Sequence, residues 1–418
     1  MRLRRAALVS STLATCFVAS AQAGPMVWAS MGEDAYRLLR RSGAELERVE
    51  PYAVEIRAPQ ADGRIGTREE TVYLMRVDED ALPRLSRDIH ENLKTCAGFM
   101  VHTSRADGRQ AVAGFREAAQ RGVKPLVNYQ IDDEAEVNPL ISQVQESNIR
   151  STIVKLSTNY KNRYYATTGG VNASNDLVTT WKALAGSRTD VTVKQFTHSW
   201  AQKSVILEIK GTTNPGKVVV IGGHLDSILS SGTSENSIAP GADDDASGVA
   251  SLQEAMRVLL QSGYKPKRTL QFMAYAAEEI GLKGSQAIAT DYKNNAKKVV
   301  GVLQLDMTNY QGAASDITMI TDYTNSAQNT FVKNLAAHYL PELKVNEDRC
   351  GYACSDHASW TNKGYVASFP FEAPLANDNK NIHTSNDTIS KSGDNANHAL
   401  KFAKLALAYA VELGSDGK

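Results

Sequence analysis

The feature that most constrains the fold of this 418-residue chain is a regular alternation of apolar strand-like runs and helix-like segments. Residues 217–221, 269–275 and 299–305 are almost continuously apolar, which is typical of strands buried on both faces of a sheet. Helix-like segments lie between them, at 247–261 and 285–292. The alternation predicts an α/β fold, in which a mostly parallel mixed sheet is flanked by helices.

The same periodicity predicts elements in the rest of the chain. Helices are expected over 81–94, 110–121, 140–156, 173–185, 326–339 and 396–413, and strands over 70–77, 203–209 and 317–320.

Residues 1–23 have the composition of a secretory signal peptide. Basic residues precede a moderately apolar run over 6–19, and an Ala21-Gln-Ala23 cleavage site follows. A transmembrane anchor is disfavoured, because polar residues interrupt a run that is already too short for a bilayer about 30 Å thick. A second alternative is lipidation at Cys16, for which Thr15 is a poor preceding residue. We therefore expect a secreted or periplasmic protein.

The type of basic residue changes near residue 130. Residues 24–130 contain 14 Arg and 2 Lys, whereas residues 131–418 contain 6 Arg and 21 Lys. We interpret the first segment as a small α+β propeptide, with a permanent accessory domain as the alternative. The second segment is interpreted as the catalytic domain. The acidic stretch over 131–136, at their junction, is expected to be a linker or processing site.

Composition excludes two classes of partner. The formal net charge is zero, so the chain has neither the basic surface typical of nucleic-acid binding nor a polybasic arm for anionic membranes. A hydrophobic content of 42% is typical of an ordinary globular body. We expect a monomer that binds neither nucleic acid nor membrane.

Ligand-type side chains follow three of the predicted strands. They are His224 and Asp226, then Glu278 and Glu279, and then Asp306. Ligands of open α/β sheets bind at the carboxyl ends of the strands, so these side chains are expected at one edge. Any one of them alone would more commonly be a helix cap or a turn residue. Their coincidence indicates a metal site.

Two further sequence features fit a cation. Three consecutive carboxylates, Asp243 to Asp245, precede the helix predicted over 247–261, where Asp245 is expected to be the N-cap. Crowding three carboxylates costs repulsion that a cation would relieve. His383 supplies a second imidazole, although a lone histidine of this kind more commonly lies at the surface.

Of the four cysteines, only Cys350 and Cys354 are close in sequence. Export would expose them to an oxidising compartment, while Cys16 would leave with the signal peptide and Cys96 has no obvious partner. We expect a small disulfide loop. A soft metal site is the alternative, but two isolated thiols without a second Cys or a Cys-His pair nearby make a poor zinc finger.

Five sequence blocks resemble the M28 family of zinc aminopeptidases, especially its secreted bacterial leucyl aminopeptidases, and occur in that family's order. The blocks are GGHLDS (222–227), APGADDDASG (239–248), AAEEIGL (276–282), QLDMTN (304–309) and IHT (382–384). A disulfide loop followed by SDHASW (355–360) is also similar to that family. The likeness covers about residues 143–414 and implies the zinc exopeptidase fold.

The resemblance also implies a centre with two Zn²⁺ ions per chain. Asp244 would bridge them, with His224 and Asp306 on one ion and Glu279 and His383 on the other. Zinc lowers the pKa of bound water from 15.7 toward about 7, so hydroxide would be available at neutral pH.

Three catalytic roles follow from the resemblance and from general chemistry. Glu278 would be the general base, a choice between the two adjacent glutamates that only the family resemblance makes. Asp226 would orient the imidazole of His224. Tyr352 would be an additional donor to the developing oxyanion.

The substrate preference is expected to be leucine-like. Apolar and aromatic residues lie beside the motifs, namely Met307, Ile320, Tyr352, Phe369, Phe371, Leu375 and Ile382. Such a set suits an apolar first side chain of a peptide with a free N-terminus.

Three other functions remain as alternatives. A glutaminyl cyclase shares this fold but uses one zinc, and the presence of all five ligands disfavours it. A catalytically dead binding ectodomain would have lost those ligands. A carboxypeptidase or deacylase should have a basic residue to bind a terminal carboxylate, and none is obvious in the motif blocks.

Overall fold

The computed structural model of the chain describes residues 25–59, 65–93, 98–121 and 124–415. The predicted signal peptide over residues 1–23, including Cys16, lies outside these residues, as does Cys96. None of the helices formed by the described residues is long and apolar enough to span a bilayer.

The N-terminal unit, residues 25–121, is an antiparallel sheet covered by helices. Its elements are β1 (Met26–Gly32), α1 (Glu33–Arg41), β2 (Leu46–Pro59), β3 (Ile65–Asp78), α2 (Leu82–Leu93), β4 (Phe99–His102) and α3 (Arg105–Arg121). The strands pair in the order β2-β3-β1-β4. Side chains such as Leu39, Met75, Ile89 and Phe99 form a hydrophobic core within this unit. It is the α+β arrangement that the sequence predicts.

The second unit, residues 124–415, is a mixed sheet between two layers of helices. Its helices are α4 (Glu134–Ile141), α5 (Glu146–Thr158), α6 (Thr168–Ala185), α7 (Ala246–Gln261), α8 (Lys283–Asn294), α9 (Ser326–Tyr339), α10 (His357–Asn362) and α11 (Ala399–Gly414). Its strands are β5 (Val191–Phe196), β6 (Ser204–Ile209), β7 (Asn214–His224), β8 (Arg268–Tyr275), β9 (Lys298–Gln304), β10 (Ile317–Ile320), β11 (Val345–Asp348) and β12 (Ala367–Phe371).

The strand order of this sheet is β11-β10-β12-β9-β7-β8-β6-β5. The four central strands, β12, β9, β7 and β8, are mutually parallel, whereas antiparallel pairs occur toward both edges. The apolar side chains of β7, β8 and β9 are buried on both faces, as expected for central strands. The predicted α/β fold with a mostly parallel mixed sheet is therefore confirmed.

Several predicted boundaries are wrong, such as the starts of β3, α3 and α6, each of which lies five residues earlier than predicted. Tertiary contacts account for two further differences. The single helix predicted over 140–156 is broken into α4 and α5, because the backbone N–H of Gln145 at the turn donates to the Glu254 carboxylate of α7 at 2.7 Å. Strand β7 continues to His224 instead of ending at residue 221. A Cβ on Gly222 would lie 2.4 Å from the ring of Tyr275, so glycine is required for this close approach.

The two units pack against each other along β4, α2 and α3. The backbone N–H of Val101 in β4 donates to the carbonyl of Gly281 at 3.1 Å. Gly281 has φ +100°, and a Cβ there would lie 2.8 Å from the nitrogen of Val101. A mixed hydrophobic cluster joins Phe115 of α3 to Tyr352 of the second unit. The N-terminal unit is thereby docked beside residues 278–282.

Candidate metal centre

Three neighbouring parallel strands bring ligand-type side chains to one edge of the sheet. His224 is the last residue of the middle strand β7, which lies between β8 and β9. Glu278 and Glu279 follow β8, and Asp306 follows β9. Because carboxyl ends of parallel strands meet, residues distant in sequence converge here.

Two loops complete the cluster. Asp244 lies between β7 and α7, where the Asp244–Asp245 peptide is cis, and His383 lies between β12 and α11. The Nε2 atom of His224 is 2.9 Å from Oδ1 of Asp244, and Nε2 of His383 is 3.1 Å from Oδ2. Oδ1 of Asp306 is 3.6 Å from His224 Nε2, and Oε2 of Glu279 is 2.8 Å from His383 Nε2. All five predicted ligands therefore lie together.

The chemistry of this donor set fits cations. All five side chains are buried, and several of their polar atoms have no hydrogen-bond partner within the described part of the chain. Those atoms are Glu279 Oε1, Asp306 Oδ1 and Nδ1 of His383, whereas Nε2 of His383 lies close to Asp244 Oδ2 and Glu279 Oε2 without hydrogen-bond geometry. Two ligand atoms that share a tetrahedral zinc at about 2.0–2.1 Å lie roughly 3.3 Å apart, close to the separations found here.

The electrostatics of the centre are those of crowded, buried carboxylates. Burial raises the pKa of Glu279 to about 7, and the charge of Asp244 adds to the shift. Burial also raises the pKa of Glu278 well above its ordinary value. Burial by itself would lower the pKa values of His224 and His383, but neighbouring carboxylates raise both well above the ordinary value. Imidazolium charge thus offsets carboxylate charge in the protein alone.

Asp226 is connected to the centre in a way that the sequence did not indicate. Its carboxylate accepts the backbone N–H groups of Glu278 at 3.0 Å and Glu279 at 3.2 Å. Its Oδ1 atom is also 3.5 Å from Nδ1 of His224, whose hydrogen-bond partner is the backbone carbonyl of Asp226 at 3.2 Å. The predicted orienting role of this carboxylate stays a prediction. Asp226 therefore fixes the turn that carries both glutamates as well as facing the imidazole.

Asp245 is the N-cap of α7, as the sequence predicts. Its carboxylate accepts the N–H of Gly248 at 2.8 Å and that of His224 at 2.9 Å. Asp387 was missed as part of the site, although it lies in the same segment as His383. Its carboxylate accepts the N–H groups of Asp243 and Asp244, both at 3.1 Å, and so holds the loop between β7 and α7.

Arg163 was also missed, because a lone arginine before α6 carries no motif. Its guanidinium is buried and donates to the carbonyl oxygens of Leu156, Leu225, Pro240 and Gly241. Burial lowers its pKa, and carboxylates of the site, including Asp244, oppose the shift. One buried cation thus ties both ends of the loop between β7 and α7, next to His224 and Asp244, to the end of α5.

Tyr352 is directed toward the N-terminal unit in this structure. Its hydroxyl is 2.8 Å from Oγ of Ser30, which in turn is 2.6 Å from Nε2 of His102. The oxyanion-donor role stays a prediction. Cys350 and Cys354, on either side of Tyr352, are joined as a disulfide.

Apart from Tyr352, which packs in the cluster with Phe115, the predicted pocket residues form one hydrophobic cluster beside the centre. Its members are Met307, Ile320, Cys350, Cys354, Phe369, Phe371 and Ile382, with Leu375 packed against them. A small cavity between this cluster and the centre is also lined by Asp306 and Asp378. No basic side chain lines that cavity within the described residues.

Comparisons with known proteins agree with this geometry. Residues 204–409 match Peptidase family M28. Leucine aminopeptidase 1 of Grosmannia clavigera is 36% identical over 321 residues, covering 73% of this chain and 77% of that protein. The structure of the Legionella pneumophila LapA aminopeptidase has a TM-score of 0.74 and 28% identity, covering 94% of this chain and 100% of that one. The glutaminyl cyclase of Porphyromonas gingivalis shares the fold, with a TM-score of 0.53 and 16% identity, covering 65% of this chain and 99% of that one.

Replacing Arg163 is expected to damage the site from a distance. In Arg163→Leu, four buried carbonyl oxygens lose their donor, at a cost of about 1–3 kcal/mol for each unsatisfied group. We expect a free energy of unfolding lowered by several kcal/mol and zinc affinity lowered roughly 10- to 100-fold. Denaturant unfolding and competitive zinc titration measure these.

Arg150→Leu is the matched control, since that guanidinium is about half exposed. Arg163→Lys separates charge from hydrogen bonding, because it keeps the cation and loses most of the donors. If Arg163→Leu behaves like Arg150→Leu in both measurements, Arg163 does not organise the centre.

Proposed function

Because this chain belongs to peptidase family M28 and is a metallo-aminopeptidase of that family, we propose that it is a secreted enzyme that uses two Zn²⁺ ions to release leucine-like residues from peptides with a free N-terminus. The observation that carries this proposal is the setting of Asp244. Its two carboxylate oxygens face different imidazoles, His224 at 2.9 Å and His383 at 3.1 Å. One carboxylate between two such groups is suited to bridging two cations.

The remaining ligands divide in the same way. Asp306 lies nearest to His224, and Glu279 lies nearest to His383. Each side of Asp244 thus has one imidazole and one further carboxylate, a nitrogen and oxygen donor set that Zn²⁺ accepts. When bound, the ions polarise the scissile carbonyl and lower the pKa of a bound water toward about 7.

Glu278 is proposed as the general base. It is buried, and its Oε1 atom has no hydrogen-bond partner among the described residues. It would take a proton from the attacking water and donate it to the leaving amine. Asp226 positions this side chain through the backbone N–H of Glu278.

The cavity beside the centre supports an aminopeptidase in preference to a carboxypeptidase. Its wall is apolar around Phe369 and Phe371, as a site for a leucine-like side chain requires, but at about 10 Å³ it holds no such side chain until its lining moves. No basic side chain among the described residues lines it to bind a terminal carboxylate, and the carboxylate of Asp378 is itself paired with Lys380. The relatives named leucine aminopeptidase support the same preference.

Two measurements test this function on the trimmed enzyme, which lacks residues 1–130, the predicted signal peptide and propeptide. Zinc content should be two equivalents per chain, and leucyl peptides should be hydrolysed while their N-acetylated forms are not, because acetylation removes the ammonium group. One zinc with conversion of N-terminal glutamine to a cyclic product would identify a glutaminyl cyclase. Equal hydrolysis of free and acetylated peptides would also contradict the proposal.

Two variants separate the base from the bridging ligand. Glu278→Ala should lower kcat by about 10²- to 10⁴-fold while both zinc ions stay bound, because this side chain contacts only the water. Asp244→Ala should lose zinc from both sites, because one carboxylate serves both ions. Activity assays with elemental analysis check this. Loss of a zinc equivalent from Glu278→Ala, or retention of both ions in Asp244→Ala, would overturn the assignment.

We further propose that residues 24–130 are a propeptide that masks the centre after export. The ring of His90 on α2 lies 5.2 Å from that of His383, and β4 contacts the loop after the glutamates through Gly281. The hydroxyl of Tyr352 is hydrogen-bonded to Oγ of Ser30 at 2.8 Å. These contacts lie beside His383, the loop after Glu278 and the hydroxyl of Tyr352, so they support steric masking of the centre by the N-terminal unit.

Cleavage between residues 125 and 133 should raise activity several-fold, because no helix or strand forms there and Leu126 is exposed. The acidic stretch is a poorer processing site than the sequence suggested, since α4 begins at Glu134. Turnover of a leucyl substrate before and after cleavage measures the effect.

Adding residues 25–121 in trans should inhibit the trimmed enzyme, since this unit has its own core. His90→Ala in the added unit should weaken inhibition, whereas Arg84→Ala, at an exposed position, should not. If the uncut chain is as active as the trimmed one and the added unit has no effect, residues 24–130 are an accessory domain.

A further inference from the structure

A second group of ligand-type side chains lies beside the proposed zinc centre. The sulfurs of Cys350 and Cys354 and a ring nitrogen of His357 all lie within 4.8 Å of one another. The two cysteines form a disulfide and are 6% and 4% exposed, while His357 is completely buried. The sequence indicated two isolated thiols. The fold adds an imidazole to them.

The environment of His357 is unusual for a buried histidine. Neither ring nitrogen has a hydrogen-bond partner among the residues that the structure describes, although buried polar groups are nearly always paired. Burial lowers its pKa to about 3, while a backbone group of Asp322, outside hydrogen-bond geometry, opposes the shift. A neutral imidazole with a free lone pair is the form that binds metal ions.

A carboxylate also lies near the sulfurs. Oδ1 of Asp322 is 3.7 Å from Sγ of Cys350, and the same carboxylate accepts the backbone N–H groups of Cys350 and Gly351 at 3.1 and 2.6 Å. Arg349 offsets part of its charge. Asp322 therefore adds negative charge near the cluster and lies close to a fourth coordination position.

We propose that reduction of the Cys350–Cys354 disulfide creates a site for one thiophilic divalent cation of the Zn²⁺ class, with two thiolates and His357 as ligands. Two thiolates on one tetrahedral zinc lie roughly 3.8 Å apart. The Cα atoms of the two cysteines are 6.0 Å apart, so side-chain rotation suffices to reach that separation. Asp322 or water takes the fourth position.

The chemistry balances with a phosphine as the reductant. The phosphine is oxidised to its oxide with oxygen from one water, and the two hydrogens of that water form the two thiols as the S–S bond breaks. Cation binding then releases both thiol protons to solvent. The bound ion cross-links residues 350–354 in place of the disulfide. The site does not depend on the proposed peptidase activity.

The test compares oxidised and phosphine-reduced forms of a full chain carrying Cys16→Ser and Cys96→Ser, so that only the pair can supply thiols. With the zinc centre already loaded, Co²⁺ is titrated and thiolate-to-cobalt charge-transfer absorption is recorded. The zinc centre has only nitrogen and oxygen ligands, so this absorption reports the new site alone. We expect one equivalent in the reduced form, none in the oxidised form, and displacement by Zn²⁺.

Variants identify the ligands. In His357→Gln, Co²⁺ affinity of the reduced chain should fall about tenfold or more. The double Cys350→Ser, Cys354→Ser variant should show no such absorption, and the melting temperatures of the oxidised His357→Gln and parent chains show whether that variant is folded. Co²⁺ should also raise the melting temperature of the reduced parent. The proposal is wrong if two free thiols are counted without charge-transfer absorption, or if a folded His357→Gln binds Co²⁺ as tightly as the parent.

Discussion

The concentration of buried carboxylates at one edge of the sheet is the constraint on which the rest of the structure depends. Each of these groups would be destabilising without compensation, since burying an unpaired charge is costly. The described residues provide three kinds of compensation. Backbone N–H groups donate hydrogen bonds to Asp226, Asp245 and Asp387, and imidazoles lie beside Asp244. The positive charge of the buried Arg163 offsets part of the negative charge of these carboxylates. A cation-binding centre is the functional result.

The N-terminal unit and the 350–357 segment contact each other beside this centre. Tyr352 packs against Phe115 of the N-terminal unit, whereas Ser355, next to the disulfide, donates to the Asp306 carboxylate at 2.6 Å. A short stretch of chain therefore connects the docked unit, the pocket wall and a proposed ligand. Changes at the docking surface or at the disulfide are coupled physically to the same carboxylate.

Much of the second unit follows from local sequence. Strand β10 and helix α9 have the predicted bounds, β8 and α7 differ by one residue at one end, and β9 differs by one residue at each end, because apolar or amphipathic runs specify them. Short or edge strands such as β5, β11 and β12 were missed, since their stability comes from pairing with neighbours. The N-terminal unit was recognised as α+β, but β1, β2 and β4 carry too little periodicity to be predicted.

By itself, the sequence determined the fold class and placed His224, the adjacent glutamates and Asp306 directly after apolar strands whose carboxyl ends must meet. The roles of Asp244 and His383, and the choice of Glu279 as the ligand, came from the family resemblance. Only the tertiary structure decided which distant groups support those ligands. Arg163 and Asp387 act through backbone atoms of other loops, and backbone hydrogen bonds leave no pattern in the residues that supply them. His357 lies only three residues after Cys354 in the sequence, but its complete burial beside the two sulfurs is a property of packing.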